Sequence, residues 1–485
     1  MTSRHLLDLA IRNATVATSS GVATMDIGVA DGKIVQLGRV QEAAEECDAL
    51  GLIVTPGGVD THTHLDQVMP GMGHGAESLA TGGRSALAGG TTTAITFVTQ
   101  LPEYTLSETL NETLRRGASA LIDFGLHQIV TDPTPEILAE IPSVIDRGVR
   151  SLKAFLTYDD ARLNDNGFLN VLQAARRGGA MVAVHCENFH AIGWLTEKLL
   201  ADGRKAPKYH AWSRPVIVER EATYRAICLA ELVDTPIQIF HVSCAEVAEE
   251  IARAQARGVK VWGETCPQYL TLTDADLDRP GFEGAGYVCS PALRSKADHE
   301  GLWEMIRRGV IDVITSDHAP SNLTGPNGKD AAGRDAPFSD IPNGVPGIGA
   351  RMPLVFSEGV STGRISLDHF VRLTATNPAK LYGLAPRKGD VVVGADADLV
   401  LWDPQREVKL TNDIMQHAID YTPYEGKTVT GWPVATYLRG QIVMRDGEVF
   451  ASEGTGQYLS RDPYPLATPR GEVPNDFFAA NIDTL

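Results

Sequence analysis

Three textures of apolar and polar positions follow one another along the chain. Residues 6–50 alternate the two with turns between: Leu9–Ala10–Ile11–Arg12, then Met25–Asp26–Ile27–Gly28–Val29, then Lys33–Ile34–Val35–Gln36–Leu37. A period of two predicts half-buried strands, and Asp31–Gly32 predicts a tight hairpin. From residue 52 short, nearly continuous apolar runs take over, at 52–59, 93–98, 121–129, 149–156, 180–185, 236–242, 258–263 and 310–316. Helix-like stretches such as Leu106–Gly117 and Ala245–Gly258 lie between most of them. From about 387 the β texture returns, in Val391–Val392–Val393, Asp398–Leu399–Val400–Leu401–Trp402, Ala435–Thr436–Tyr437–Leu438–Arg439 and Ile442–Val443.

Eight buried runs alternating with helices match the count of a (β/α)8 TIM barrel, an α/β fold. A doubly wound sheet could hold similar runs, but it does not explain why ligand-type polar residues end several separate strands. In a barrel, chemistry collects at those ends. The expected organisation is a barrel domain over 56–386 and a smaller β domain assembled from 1–55 and 387–460. The proline- and acid-rich stretch 461–485 reads as an extended tail.

The polar exceptions to this pattern carry the candidate chemistry. His62 and His64 follow the first run at spacing i, i+2, which points both imidazoles to one side of an extended chain. Two satisfied interior histidines would look the same. Four further ligand types then appear, each on its own run: Lys153 in Ser151–Leu152–Lys153–Ala154–Phe155–Leu156, His185 after Met181–Val182–Ala183–Val184, His241 after Ile237–Gln238–Ile239–Phe240, and Asp317 after Val313–Ile314–Thr315–Ser316. A lysine within an apolar strand is costly to bury as an ammonium ion. It can reach the barrel mouth or a carboxylate, or stand neutral and capture carbon dioxide as a carbamate whose two oxygens bridge two cations. Six ligands suit two divalent metals better than one, because a single catalytic zinc keeps three protein ligands and an open position.

Composition narrows the partners. A net charge of −18 argues against nucleic acid and anionic membranes. No run approaches the roughly 20 apolar residues that span a bilayer. The start, Met1–Thr2–Ser3–Arg4–His5, is interrupted by charge before a signal-like core forms, and the six cysteines contain no C-x-x-C pair. A cytoplasmic protein with reduced thiols is expected. Cys186 and Cys244 follow ligand histidines closely and could coordinate metal, although small buried packing residues explain them as well.

The ordered ensemble of motifs resembles the amidohydrolase superfamily in its hydantoinase/dihydropyrimidinase branch. The matching segments include Thr61–His62–Thr63–His64, Lys153 with Tyr158, Val184–His185–Cys186–Glu187–Asn188, His241–Val242–Ser243 and Glu264–Thr265–Cys266–Pro267–Gln268–Tyr269. Cys289–Ser290–Pro291, Ser316–Asp317–His318–Ala319–Pro320 and Ile341–Pro342–Asn343–Gly344 continue the series. The resemblance implies a barrel with a β-sandwich side domain, and two zinc-type ions bridged by a carboxylated Lys153. It also implies hydrolysis of a small cyclic amide and a homotetramer or homodimer. His62, His64 and Asp317 would hold the more buried ion, and His185 and His241 the more exposed one. Tyr158 would donate to the oxyanion, Asp317 would act as general base then acid, and backbone groups at Ser290 and Asn343 would bind the ring.

Two loops depart from that family pattern, Met69–Pro70–Gly71–Met72–Gly73–His74 and the stretch 319–335 that opens with Ala319–Pro320–Ser321. The ring substituent is therefore open, and His74 is either a substrate contact or a solvated loop residue. Leu65 and Phe155, beside the ligand positions, are expected to face the ring. No lysine or arginine adjoins the metal-ligand motifs, which predicts a neutral ring with an apolar substituent. A dihydroorotase-like site would place arginine where Asp66 stands. Allantoinase and cyclic imidase activities fit the same metal set. A mononuclear deaminase has no use for Lys153, and a non-enzymatic dihydropyrimidinase-related scaffold has no use for the six ligands.

Overall fold

The computed structural model describes residues 7–69 and 73–471. Eight parallel strands form its centre: Gly58–Asp60 (β1), Thr91–Val98 (β2), Asp123–Ile129 (β3), Ser151–Phe155 (β4), Met181–His185 (β5), Ile237–Ile239 (β6), Val261–Thr265 (β7) and Ile311–Ile314 (β8). Each pairs in parallel with the next, from β1 with β2 to β7 with β8. The ring closes just beyond the strand ends, where Thr63 bridges His318 in parallel and the His64 amide donates to the His318 carbonyl at 2.8 Å. Beneath that seam the guanidinium of Arg351, fully buried, donates to the carbonyls of Val59 and Ile314 and faces Asp60 at 3.4 Å. The expected helices form at Leu106–Arg116 and Ala245–Ala256.

The lumen is packed in layers, as in a filled barrel. Val59, Ile95, Met181 and Val313 form the floor with Tyr382 and Leu384. Phe97, Ile129, Ala183, Phe240 and Phe155 form the layer above. A separate and larger apolar cluster lies between the strands and the surrounding helices.

The smaller β domain is a nine-stranded mixed sheet built from both ends of the chain. Its seam is the strand Ile53–Pro56, which pairs in parallel with Leu7–Thr18 and antiparallel with Leu399–Lys409. The expected hairpin is present: Ala30 faces Lys33 across Asp31 and Gly32, whose φ values of 51° and 72° give the left-handed turn that matches strand twist. The single apolar run 52–59 is thus divided between two sheets. Gly57 makes the switch, because a Cβ there would stand 2.1 Å from the Thr92 hydroxyl.

Part of the stretch expected as an extended tail packs on the chain's own barrel. Arg461, 2% exposed, donates to the Ser151 hydroxyl at 3.0 Å, and the Gly471 amide donates to Asp234 at 2.6 Å. Residues 472–485 of that stretch lie outside the described residues. Among the described residues no helix is long and apolar enough to cross a membrane, and all six cysteines are unpaired.

Candidate metal centre and active site

The strands end in side chains that converge over the lumen. His62, His241 and Asp317 bring one ligand atom each within 4.8 Å of one another. His62 Nε2 lies 3.0 Å and His64 Nε2 3.2 Å from the same oxygen, Asp317 Oδ1. The ring centroids of His62 and His241 are 5.4 Å apart, and those of His185 and His241 are 4.3 Å apart. All five are buried except His64, which is partly exposed. His241 and Asp317 take positive φ, 42° and 45°, so the backbone turns sharply as it leaves β6 and β8.

Three of the histidines have one nitrogen tied off on the far side. His62 Nδ1 meets Glu264 Oε1 at 2.7 Å, His64 Nδ1 meets Gln67, and His185 Nε2 meets Glu187 Oε2 at 2.8 Å. Such partners fix the ring and leave the other nitrogen for a metal. His241 Nδ1 is buried with no hydrogen-bond partner. Burial works against a charged His62, but Asp317 and Glu264 outweigh it and raise its pKa. Burial also opposes the Asp317 carboxylate, yet His62, His64 and His241 hold it well below the usual range.

Lys153 sits at the centre of β4, fully buried, and its Nζ has no hydrogen-bond partner. Three rings surround it, Phe240 at 4.0 Å, Phe155 at 4.9 Å and Phe97 at 5.9 Å. Burial pulls its pKa down to about 7 against the pull of Asp317 and Glu264. A partnerless amine and an unpaired imidazole nitrogen, beside a carboxylate and three more imidazoles, fit a metal centre, and a neutral amine in that place fits a carbamate.

Tyr158, at φ 73°, turns its ring to 5.1 Å from His185. The Ser290 hydroxyl donates to Asn343 Oδ1 at 3.1 Å. Phe155 shares the lumen layer with Lys153's neighbours, its centroid 5.9 Å from both Tyr158 and His185. Leu65 does not join them. Asp66 takes φ 53° and turns the chain, so Leu65 packs in the layer between barrel and helices, its Cδ2 against Gly82 of the helix Thr81–Ala88. The expectation that Leu65 faces a ring is corrected accordingly. Residues 70–72 lie outside the described residues, as does the expected role of the His74 side chain.

Sequence reasoning assigns no role to Glu264, Glu187 and Gln67. Glu264 carries a visible signal, a carboxylate closing an apolar strand, but the apolar run itself ends at 263. Arg214 gives no such signal. It lies 27 positions after Glu187 and donates to that carboxylate at 2.7 Å, so the pair brings no net charge to the mouth.

Comparison with known proteins defines this arrangement. The amidohydrolase family model matches residues 53–443. The chain belongs to the amidohydrolase family. Its relatives include the D-hydantoinase of Ralstonia pickettii, 43% identical over 461 residues that cover 94% of this chain and 100% of that one. The D-hydantoinase of Geobacillus stearothermophilus is 43% identical over 460 residues, 94% of this chain and 96% of the other. Among solved structures, dihydropyrimidinase from Brevibacillus agri NCHU1002 superposes with a TM-score of 0.90 at 39% identity, covering 94% and 99% of the two chains. The L-hydantoinase (dihydropyrimidinase) from Arthrobacter aurescens gives 0.86 at 31% identity, covering 94% and 100%. This amidohydrolase is therefore a hydrolase of the hydantoinase/dihydropyrimidinase type, and the His62–His241–Asp317 cluster is a candidate site for a metal cofactor.

Proposed function

We propose that this amidohydrolase opens the ring of a hydantoin or dihydropyrimidine by hydrolysing its cyclic amide bond. In this reading His62, His64, Lys153, His185, His241 and Asp317 hold two zinc ions, with Lys153 carboxylated by carbon dioxide. The observation that carries the reading is the buried Lys153 Nζ without a partner, set among three aromatic rings below the imidazoles. Zinc bound there would supply Lewis acidity, lowering the pKa of water and polarising a carbonyl.

The chain's own residues supply the rest. Water adds to the ring carbonyl carbon and the carbon–nitrogen bond breaks. Asp317 takes the proton from the water and delivers it to the departing ring nitrogen, which leaves poorly as an anion. Burial first of all pushes the Tyr158 phenol up in pKa, so it stays protonated and can donate to the carbonyl oxygen as charge develops. Backbone groups at Ser290 and Asn343 orient the ring, and Phe155 forms an apolar wall. The cancellation of Arg214 by Glu187 supports a neutral substrate. Residues 56–386 would form the catalytic domain, with 1–55 and 387–460 as its support, in a cytoplasmic homotetramer or homodimer.

Turnover of dihydrouracil, 5-substituted hydantoins, allantoin and succinimide-type imides by zinc-loaded protein tests this. Hydantoin or dihydrouracil should be the preferred substrate, with close to two ions per chain and no turnover after chelation. Preference for allantoin or an imide would reassign the activity, and full activity with one ion would overturn the bridged site.

A further inference from the structure

The loop that follows Asp317 contains a lysine used by neither the metal centre nor the proposed proton path. Residues 324–327 and 331–335 are exposed, yet Lys329 between them is 1% exposed. Its Nζ donates to the carbonyl of Val288 at 3.0 Å and to that of Pro342 at 2.7 Å. Burial lowers its pKa to about 7. An amine is an expensive group to hide here, and what it gains is a pair of carbonyl acceptors, one from each of two separate segments.

Those carbonyls belong to the two segments assigned to the amide ring. Val288 lies two residues before Ser290, and Pro342 immediately precedes Asn343. The same segments meet again where the Gly344 amide donates to the Val288 carbonyl at 3.1 Å, and where Ser290 donates to Asn343. Gly344, at φ 110°, is pressed on the base of the lysine's loop, where a Cβ would stand 2.3 Å from the Ala319 carbonyl. The loop itself is anchored. The Lys329 amide donates to the Asn322 carbonyl at 2.8 Å, and the Leu323 and Thr324 amides donate to Asp420 at 2.6 and 3.2 Å.

We propose that Lys329 is a positioning residue for substrate, which fixes the spacing of segments 288–290 and 342–344 by donating to one carbonyl on each. The proposal rests on the functional reading above, in which backbone groups of those segments bind the ring. It also gives the divergent loop 319–335 a purpose, since the loop reaches into the binding site from behind and sets its width.

The test compares wild type with Lys329→Met, which keeps the stem and removes the donors, using the substrate the wild type turns over best. KM should rise about 10- to 100-fold, the loss expected for a pair of such hydrogen bonds, while kcat stays within about threefold. Metal content should be unchanged. Amide hydrogen exchange should accelerate in peptides covering 288–290 and 342–344 and not in the barrel strands. Lys329→Gln, which keeps two N–H donors, should return KM part of the way and carries the test if the methionine variant does not fold. Unchanged KM, or unchanged exchange at the two segments, would overturn the proposal. So would faster exchange without any change in KM, which marks a packing residue. A wild type that opens none of the rings sinks the functional reading and this proposal together, whereas an active wild type with a silent variant sinks only the proposal.

Discussion

Two lysines are buried at opposite ends of the same barrel, and their surroundings differ in every respect. Lys153, at the catalytic end, has three aromatic rings around it and no hydrogen-bond partner, and burial brings its pKa down to about 7. Lys388, beneath the barrel, donates to Asp123 at 2.6 Å and Asp398 at 2.7 Å and faces Asp396 at 3.0 Å. Burial opposes its charge too, but the three carboxylates outweigh it and raise its pKa. Asp123 opens β3 and Asp398 immediately precedes the strand Leu399–Lys409, so Lys388 welds the barrel to the outer sheet. The contrast teaches how to read a buried cation. Where the chain provides partners for the charge the residue is a fixture of the fold, and where it provides none, as at Lys153, the residue is open to chemistry from outside the chain.

The largest effect expected from breaking this contrast is at the catalytic end. Lys153→Ala should lower kcat/KM by about 10³-fold or more, since several kcal/mol of metal-derived stabilisation go with the bridge. Metal content should fall with it, and short carboxylic acids added with metal should restore part of the activity. Full activity in the alanine variant would remove the distinction between the two lysines. At the other end, Lys388→Met should leave metal content intact and destabilise the protein by about 3–5 kcal/mol, because three carboxylates lose their common cation. A melting temperature equal to that of wild type would refute it.

Smaller effects sharpen the comparison. Glu264→Gln keeps the shape of the group that holds His62 Nδ1 and removes its charge, so metal affinity by titration should fall about 10- to 100-fold. An unchanged affinity would mean that the lumen alone orients His62. The smallest effect is a change of slope with pH. Burial pushes Asp396 up, but Lys388, Lys33 and Arg387 outweigh it and leave its pKa depressed. A depressed carboxylate stabilises the fold above its unfolded pKa, about 4, and loses that contribution as pH falls through the folded value. The melting temperature of Asp396→Asn should therefore fall less steeply than that of wild type between about pH 5 and 3. Parallel slopes would place the acid sensitivity elsewhere.

Much of the catalytic end is legible in the sequence because its residues violate a local pattern: Lys153, His185, His241 and Asp317 are polar groups on apolar strands, visible without any knowledge of pairing. The base is not. Lys388, Asp396 and Asp398 sit in a stretch of ordinary charge density, and only folding brings Asp123 to them from 265 positions away. Glu264 escapes for a different reason. β7 runs to Thr265, past the end of the apolar run, with a register shift between Gly263 and Glu264 that no periodicity reveals. Sequence spacing puts Leu65 on the wrong side because a single left-handed residue, Asp66, redirects the chain, and spacing alone does not report φ. The apolar run 52–59 looks like one strand because both of its sheets are buried there.

The bond between the His64 amide and the His318 carbonyl closes the barrel, and it joins the two segments that hold His62, His64 and Asp317. Ring closure and assembly of the donor set are thus a single event in the life of the chain. During synthesis His64 emerges 253 residues ahead of Asp317, the carboxylate it meets in the cluster. At ordinary elongation speeds that is a delay of about 10–50 s. Throughout it the nascent polypeptide can offer a cation only scattered, weak donors. The donor set is therefore complete only after the last barrel strand has arrived.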